Sequence, residues 1–174
     1  MRSSELEKIR REASGTPAMT RVALDDLGNE RTIRKKLQAE FEKSMRRGET
    51  VSQLTARIQR VAEMSHARAL RIAQTEKTRA ANGQRVAEAI ERYLTSDEYK
   101  KAVKNHRKRP PRPVFQWIDP RRARVPRPHH VAISGRIREA GEEFRLGLRW
   151  PGDPQAPPSE VINCHCYIRE VRRK

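Results

Sequence analysis

Apolar side chains recur at helical spacing through the first part of the chain. In the segment 32–47 they stand about four residues apart, at Ile33, Leu37, Phe41 and, less regularly, Met45. This spacing predicts a charged helix with a narrow apolar stripe on one side. Gly48 follows the stripe and is a natural end for the helix, because glycine readily adopts the left-handed backbone found at helix C-termini.

Three more helices are predicted from the same spacing and from residues suited to cap them. Thr50 precedes a helix whose apolar positions are Val51, Leu54, Ile58 and Val61. Ser65 precedes a longer helix, 66–94, whose apolar side carries Leu70, Ala73, Val86, Ile90 and Tyr93. Ser96 precedes a short helix through Tyr99 and Val103. Serine and threonine favour these positions because their hydroxyls accept hydrogen bonds from the first amides of a helix.

The regular pattern changes at Arg107. The stretch 107–113 contains three of the eleven prolines among basic residues, and proline excludes a regular helix there. Short segments separated by glycine and proline then predict short strands or turns at 114–118, 131–134, 144–149 and 161–171. The sequence therefore predicts an α+β fold. Its parts are a helical region (1–106), a basic arm or linker rich in proline and arginine (107–128), and a small, compact, irregular α+β module with a Cys-x-Cys pair (129–174).

The formal net charge of +17 is densest near this arm. Between residues 107 and 127 a single acid, Asp119, stands against eight cations: Arg107, Lys108, Arg109, Arg112, Arg121, Arg122, Arg124 and Arg127. A patch of this density suits a polyanion, either nucleic acid or an acidic protein surface, and a solvated basic loop is the alternative. No apolar run approaches the roughly 18 residues that span a bilayer, and no apolar signal core stands at the N-terminus. We therefore expect a protein made in the cytoplasm, with no membrane partner.

The most specific local pattern lies within 161–168 and contains Cys164 and Cys166. On a strand these two cysteines would point to one side and His165 to the other. Such a pair fits half of a zinc site, and His129 and His130 are the best candidates to complete it, followed by Asp153. The candidate metal ligands are His130, Asp153, Cys164 and Cys166. Two buried thiols without a metal, and a redox or nucleophilic cysteine, are the alternatives.

Two other segments have a structural interpretation. The segment 150–154 predicts a rigid turn, because proline fixes φ and glycine supplies an unusual dihedral angle. Asp153 is placed to close this turn by accepting hydrogen bonds from backbone amides. On the long helix, the apolar side is interrupted around residues 75–79. There Glu76, Arg79 and Asn82 form either a solvated polar face or a face that docks onto the C-terminal module.

Three segments resemble the phage Mu F-like minor head proteins, also called phage head morphogenesis proteins. The segment 73–80 is similar to a family helix that carries an acid and an arginine after A-R-T-E. The segment 127–130 with Gly135 is similar to the family's Arg-x-x-His followed by Asp-Gly, with Ser134 in place of the aspartate. The segments 151–154 and 163–166 are similar to P-G-D-P and N-C-R-C, with histidine in place of the arginine. The motif residues are Glu76, Arg79, Asn82, Gly135, Gly152 and Asn163.

This resemblance implies a minor component of a phage or prophage head, present in few copies and associated with the portal or the packaged DNA. It implies no established enzyme activity. We accordingly expect binding to DNA and to portal and capsid proteins, first in the host cytoplasm and then in the virion head, with no small-molecule substrate. The alternative is a metal-dependent nuclease or toxin-like hydrolase that uses His130, Asp153, Cys164 and Cys166. A DNA-binding regulator is a lesser alternative, because no helix-turn-helix pattern is recognisable.

Overall fold

A computed structural model of the protein describes residues 3–15, 31–121 and 126–172, with side chains from residue 35 onward in the second range. The side chain of Ile33 and the predicted cations Arg122 and Arg124 lie outside this description. The helices are α1 (Ser3–Ser14), α2 (Arg31–Arg46), α3 (Val51–Ala62), α4 (His66–Thr95), α5 (Asp97–Lys104), α6 (Pro128–Ile133) and α7 (Pro158–Val161). The strands are β1 (Val114–Ile118), β2 (Ile137–Glu139) and β3 (Tyr167–Val171). The predicted α+β fold is confirmed.

Local sequence signals account for most of the helix ends. Gly48 follows α2 with a left-handed φ of 63°. Thr50 and Gln53 form a reciprocal capping box at the start of α3, and the hydroxyl of Ser96 accepts a hydrogen bond at the start of α5. The predicted cap at Ser65 is wrong in one respect, since its side chain makes no capping hydrogen bond. Its extended backbone alone marks the start of α4.

Helices α2, α3 and the first half of α4 enclose one hydrophobic core, here called the helical cluster. Its buried members are Leu37, Phe41, Leu54, Ile58, Ala69, Ile72 and Ala73. Leu70, predicted to face inward, is 41% exposed. Ala69, Ile72 and Ala73 are the buried residues of this turn, so the helix presents them, and not Leu70, to the cluster.

A second core, here called the composite cluster, joins parts of the chain that are far apart in sequence. It contains Leu6 and Ile9 of α1, the second half of α4, the inner face of the sheet, and buried residues between the short elements of the C-terminal module. Helix α1 lies directly on α4 at Gly83, where an added Cβ would stand 2.4 Å from the carbonyl oxygen of Ala13. Glycine inside this helix is therefore explained by the contact, since any side chain would separate the two helices.

The three strands form an antiparallel sheet in the order β2-β1-β3. The central strand, β1, lies within the range that was assigned to the basic arm, so part of that range belongs to the folded module. Trp117 pairs with Ile168 across β1 and β3, and both side chains are buried. The predicted strand over 161–171 is shorter than expected: residues up to Val161 are helical, and β3 begins only at Tyr167.

No helix in the described parts of the chain combines the length and the apolar character needed to cross a membrane.

Candidate metal centre

Helix α6 positions the first member of the candidate site. It begins with Pro128, whose fixed φ and missing amide suit the first turn of a helix, and His130 follows with only 2% of its surface exposed. Arg127 precedes the helix and donates from Nε to the carbonyl of Ser159 (2.8 Å) and from Nη2 to the carbonyl of Ile162 (2.6 Å). Arg127, predicted to bind nucleic acid, therefore holds α6 against the α7 turn.

The cysteine segment is bound to α4 through side chains on that helix. The amide of Asn163, a residue with left-handed φ of 51°, donates to Thr75 Oγ1 at 2.8 Å. Thr78 Oγ1 donates to the carbonyl of Cys164 at 2.8 Å, and Asn82 Nδ2 donates to the carbonyl of Cys166 at 3.2 Å. Of the residues predicted to dock this helix face, Asn82 binds the cysteine segment, while the other two of these hydrogen bonds involve Thr75 and Thr78 and not Glu76 or Arg79.

The same helix face also receives the turn at 150–154. Glu76 is fully buried and pairs with Arg79 at 3.3 Å. Gly152 lies so close to the helix that an added Cβ would stand 2.7 Å from the Cα of Arg79. Gly152, with its φ of 83°, is therefore required both by the turn and by the contact.

His130, Cys164 and Cys166, here called the His-Cys-Cys triad, converge inside the composite cluster. The Nδ1 atom of His130 lies 3.6 Å from the sulfur of each cysteine. All three potential ligand atoms lie within 4.8 Å of one another, and all three side chains are buried. Although the two cysteines precede β3 and do not lie in it, their sulfurs converge as the strand hypothesis expected. This cluster can hold a metal ion.

Glu160 fixes the orientation of the histidine in the triad. Its Oε2 lies 3.0 Å from Nε2 of His130 and 2.9 Å from Nε2 of His129. A carboxylate that accepts the Nε2 proton leaves Nδ1 of His130 unprotonated and directed at the sulfurs, which is the tautomer a metal needs. His129 therefore contacts the supporting carboxylate and does not join the triad.

The two thiols have opposite proton affinities. A hydrogen bond from Cys166 lowers the pKa of Cys164 to about 5, and His130 acts in the same direction against the effect of burial. The same hydrogen bond, together with burial, raises the pKa of Cys166. Burial opposes protonation of His130, but hydrogen bonds to Cys164 and Glu160 raise its pKa overall. The site therefore stabilises one buried thiolate, the form of cysteine that binds metals.

Asp153, predicted as a fourth ligand, does not belong to this group. Its carboxylate accepts hydrogen bonds from the Arg149 side chain at 2.7 and 2.9 Å, and from the backbone amides of Arg149 and Gln155. Asp153 thus closes the turn, as its structural interpretation expected, and its negative charge is neutralised by the arginine. His165, half-buried beside the cysteines, is likewise outside the triad.

The predicted cations of the basic arm divide into two groups. Exposed side chains belong to Arg107, Lys108, Arg109 and Arg121. Arg112, by contrast, forms ion pairs with Glu139 and Glu142 and donates to the carbonyl of Ala140 at 2.8 Å. Arg112 therefore connects the arm to the end of β2 and the loop that follows it. Arg112 and Arg127 were both predicted to contact nucleic acid, and both make structural contacts within the protein instead.

Sequence reasoning missed Glu160 and Trp117, and it gave Gly135 no physical role. Glu160 stands thirty residues from His130, and no spacing signal connects the two. The ring of Trp117 meets that of His130 edge-on at 5.3 Å between centroids. Gly135 has a φ of 90°, and its amide donates to the carbonyl of Trp117 at 2.8 Å, which joins the end of α6 to β1.

Comparisons of the chain with protein-family models, with curated proteins and with solved structures find no match.

Proposed function

We propose that this protein is a non-catalytic minor component of a phage or prophage head that binds DNA and portal or capsid proteins during assembly. The observation that carries the proposal is the meeting of the three segments that resemble Mu F-like minor head proteins. The 73–80 helix segment and the neighbouring Asn82 bind the cysteine segment, 127–130 supplies the histidine, and the 151–154 turn packs against Arg79. Separate motifs that build one buried site share a structural role, and this supports the resemblance.

The ion that best suits the His-Cys-Cys triad is zinc, held as a structural centre. Tetrahedral zinc binds sulfur at about 2.3 Å and nitrogen at about 2.0–2.1 Å, which sets a nitrogen–sulfur separation of about 3.6 Å. The two separations in the triad are both 3.6 Å. The carboxylate of Glu160 behind His130 completes an arrangement common around zinc-bound histidines.

Zinc content is measured directly on the purified full chain by elemental analysis. One zinc per chain is expected, with loss of the metal in Cys164→Ser and Cys166→Ser because each removes a thiolate ligand. A protein that folds cooperatively without any metal would contradict the zinc assignment.

DNA binding is assigned to the exposed cations of the arm, Arg107, Lys108, Arg109 and Arg121. Three of them are consecutive and follow soon after α5, so they present charge on one short stretch of surface. Their chemistry is that of contacts to phosphate, which position a protein on DNA without reading sequence. The observed geometry gives a hydrolase no such support. The triad is at most 5% exposed, and Asp153 is bound to Arg149.

The test compares two charge-reversed variants of the full chain on duplex DNA at several salt concentrations. The first replaces Arg107, Lys108 and Arg109 by glutamate; the control replaces the exposed Lys35, Lys36 and Arg60 of α2 and α3 in the same way. Each phosphate contact contributes roughly 0.9 to the slope of log affinity against log salt, so the first variant should lose a slope of up to about 3.

Equal weakening by the control variant, or binding by the wild type that salt does not change, would contradict the DNA-binding assignment. Reproducible nicking of plasmid DNA in divalent metal, lost in His130→Ala, would favour the hydrolase instead. The head assignment itself is checked by quantitative mass spectrometry of purified particles from the phage that encodes the chain. A few copies per head are expected, and particles that form normally without the chain would overturn it.

A further inference from the structure

The proposed zinc centre lacks one ligand, since a structural zinc ion takes four and the triad provides three. Resting on that proposed centre, we infer that Asp119 supplies the fourth ligand, from the end of β1 at the solvent side of the triad. Asp119 is half-buried, whereas the three members of the triad are buried. It also stands directly after the central strand of the sheet, whose position is fixed by pairing on both sides.

The register of the sheet places Asp119 opposite Cys166. Ile118 pairs with Tyr167 at the end of the antiparallel ladder between β1 and β3. The next position outward on β1 is Asp119, and the next on the facing segment is Cys166. Directly opposed residues of an antiparallel pair project to the same face, with Cβ atoms about 4.5–5.5 Å apart. The carboxylate and the sulfur therefore share one side of the sheet.

That shared side is the one that faces the triad. Side chains alternate along a strand, so Asp119 projects to the same face as Trp117. Trp117 is fully buried and its ring meets the ring of His130, which marks this face as the inner one. The indole Nε1–H of Trp117 is buried and has no hydrogen-bond partner among the described residues, so this face carries an unsatisfied donor next to His130.

A second connection holds Asp119 near the histidine. Its amide donates to the hydroxyl of Ser134 at 3.1 Å, and Ser134 directly follows α6, the helix that carries His130. Asp119 is thus held between the segments that provide the sulfur ligands and the nitrogen ligand.

Binding requires the carboxylate to rotate inward, because its oxygens lie outside the tight group of triad atoms. The amide of Arg121 donates to Oδ1 of Asp119 at 2.7 Å. A carboxylate has two oxygens and about four acceptor positions, so this turn hydrogen bond is compatible with metal ligation. The expected arrangement is a site of two cysteines, one histidine and one aspartate, in which the exposed ligand is the last to bind.

The experiment uses the full chain, loaded with zinc or with cobalt(II), in the wild type and three variants. Asp119→Asn removes the proposed ligand, and Asp119→Cys replaces it with a softer one. Glu170→Gln is the matched control, since it removes a negative charge from the same sheet where Glu170 pairs with Arg92 on the surface. Zinc affinity is measured by competition with a chromophoric chelator, and thiolate ligation by the sulfur-to-cobalt charge-transfer band. Far-UV circular dichroism checks that every variant is folded.

We expect Asp119→Asn to lose at least roughly 10–100-fold in zinc affinity, while Glu170→Gln binds as the wild type does. Asp119→Cys should retain the metal and raise the charge-transfer intensity about 1.5-fold, because two thiolate ligands become three. Wild-type affinity in Asp119→Asn, together with an unchanged cobalt spectrum in Asp119→Cys, would overturn the assignment of Asp119 alone. A wild type that takes up neither metal would overturn the zinc centre itself, which is a different and separately visible result.

Discussion

The helical cluster and the composite cluster are held together by different kinds of interaction. The helical cluster collects residues between Leu37 and Ala73, and its buried members are almost all apolar. Charge stays at its rim, where Arg57 pairs with Glu40 at 2.7 Å and with Glu49 at 2.5 Å. The composite cluster collects residues from Leu6 to Ile168, and polar groups are buried alongside its apolar side chains.

This difference separates two ways of stabilising a small core. Apolar burial contributes roughly 25 cal/mol per Å², so the helical cluster depends mainly on how well its apolar side chains fill the space between the helices. A buried polar group that loses its partner costs about 1–3 kcal/mol, and an ionised group costs more. The composite cluster buries His130, Glu160, Glu76 and Asn82, so its stability depends on every one of these groups keeping its partner.

Removing the metal from the proposed zinc centre should have the largest effect on this comparison, on the order of 10 kcal/mol for a structural zinc ion. A strong chelator should unfold the composite cluster and leave the helical cluster largely helical. Both tryptophans of the chain, Trp117 and Trp150, are members of the composite cluster, so near-UV circular dichroism and fluorescence report on it selectively. Cys164→Ser should behave like the chelated wild type. Unchanged tryptophan signals after the metal is shown to be gone would contradict this.

Truncating an apolar side chain should affect the helical cluster by a smaller amount. Leu54→Ala is expected to cost about 2–5 kcal/mol of unfolding free energy, because Leu54 has no exposed surface. Leu70→Ala is the matched control and should cost less than about 0.5 kcal/mol, since Leu70 is 41% exposed. Hydrogen exchange should show the loss of protection concentrated in α2 and α3. Equal losses in the two variants would mean that the burial pattern is incorrect.

The smallest expected effect concerns the ion pairs at the rim of the helical cluster. Hydrogen bonds from Lys43 and Arg57 lower the pKa of Glu40 in the folded protein. The contribution of Glu40 to the free energy of unfolding is therefore complete above its unfolded pKa of about 4.3. It is lost as the pH falls through the lower pKa of the folded state. Glu40→Gln should cost up to about 1 kcal/mol at pH 7, and this cost should shrink as the pH falls through the folded pKa. Chemical denaturation across this pH range measures the cost, with Glu42→Gln as the control. A cost that persists in acid would show that charge is not its cause.

The same contrast explains how much of the structure the sequence could predict. Leu54 and Ile58 repeat at helical spacing, and Thr50 caps their helix, so periodicity and local chemistry were enough for the helical cluster. The cysteine pair and His130 could be named as candidate ligands because the residue types themselves carry the chemistry. Glu160 could not be named, since its role depends on a turn of α7 that only the folded module brings beside His130.

Asp153 is the opposite case, because the sequence suggested a metal ligand that the structure does not place in the triad. Its residue type suits a metal, but the sequence does not reveal that Arg149, four residues earlier, binds both of its oxygens. The predicted cations had the same problem. Arg112 and Arg127 look like their exposed neighbours in sequence, and only tertiary contacts distinguish the arginines that hold the module together from those that face solvent.

The wide sequence span of the composite cluster has a consequence for biosynthesis. Its strand β1 can pair with β3 only after residues 167–171 have left the ribosome, about fifty positions after β1 itself. The helical cluster is complete once α4 has emerged, so it can fold during translation, whereas the composite cluster stays incomplete until Ile168 of β3 arrives. Each new chain therefore exposes the apolar surface of the incomplete composite cluster until β3 has emerged and paired.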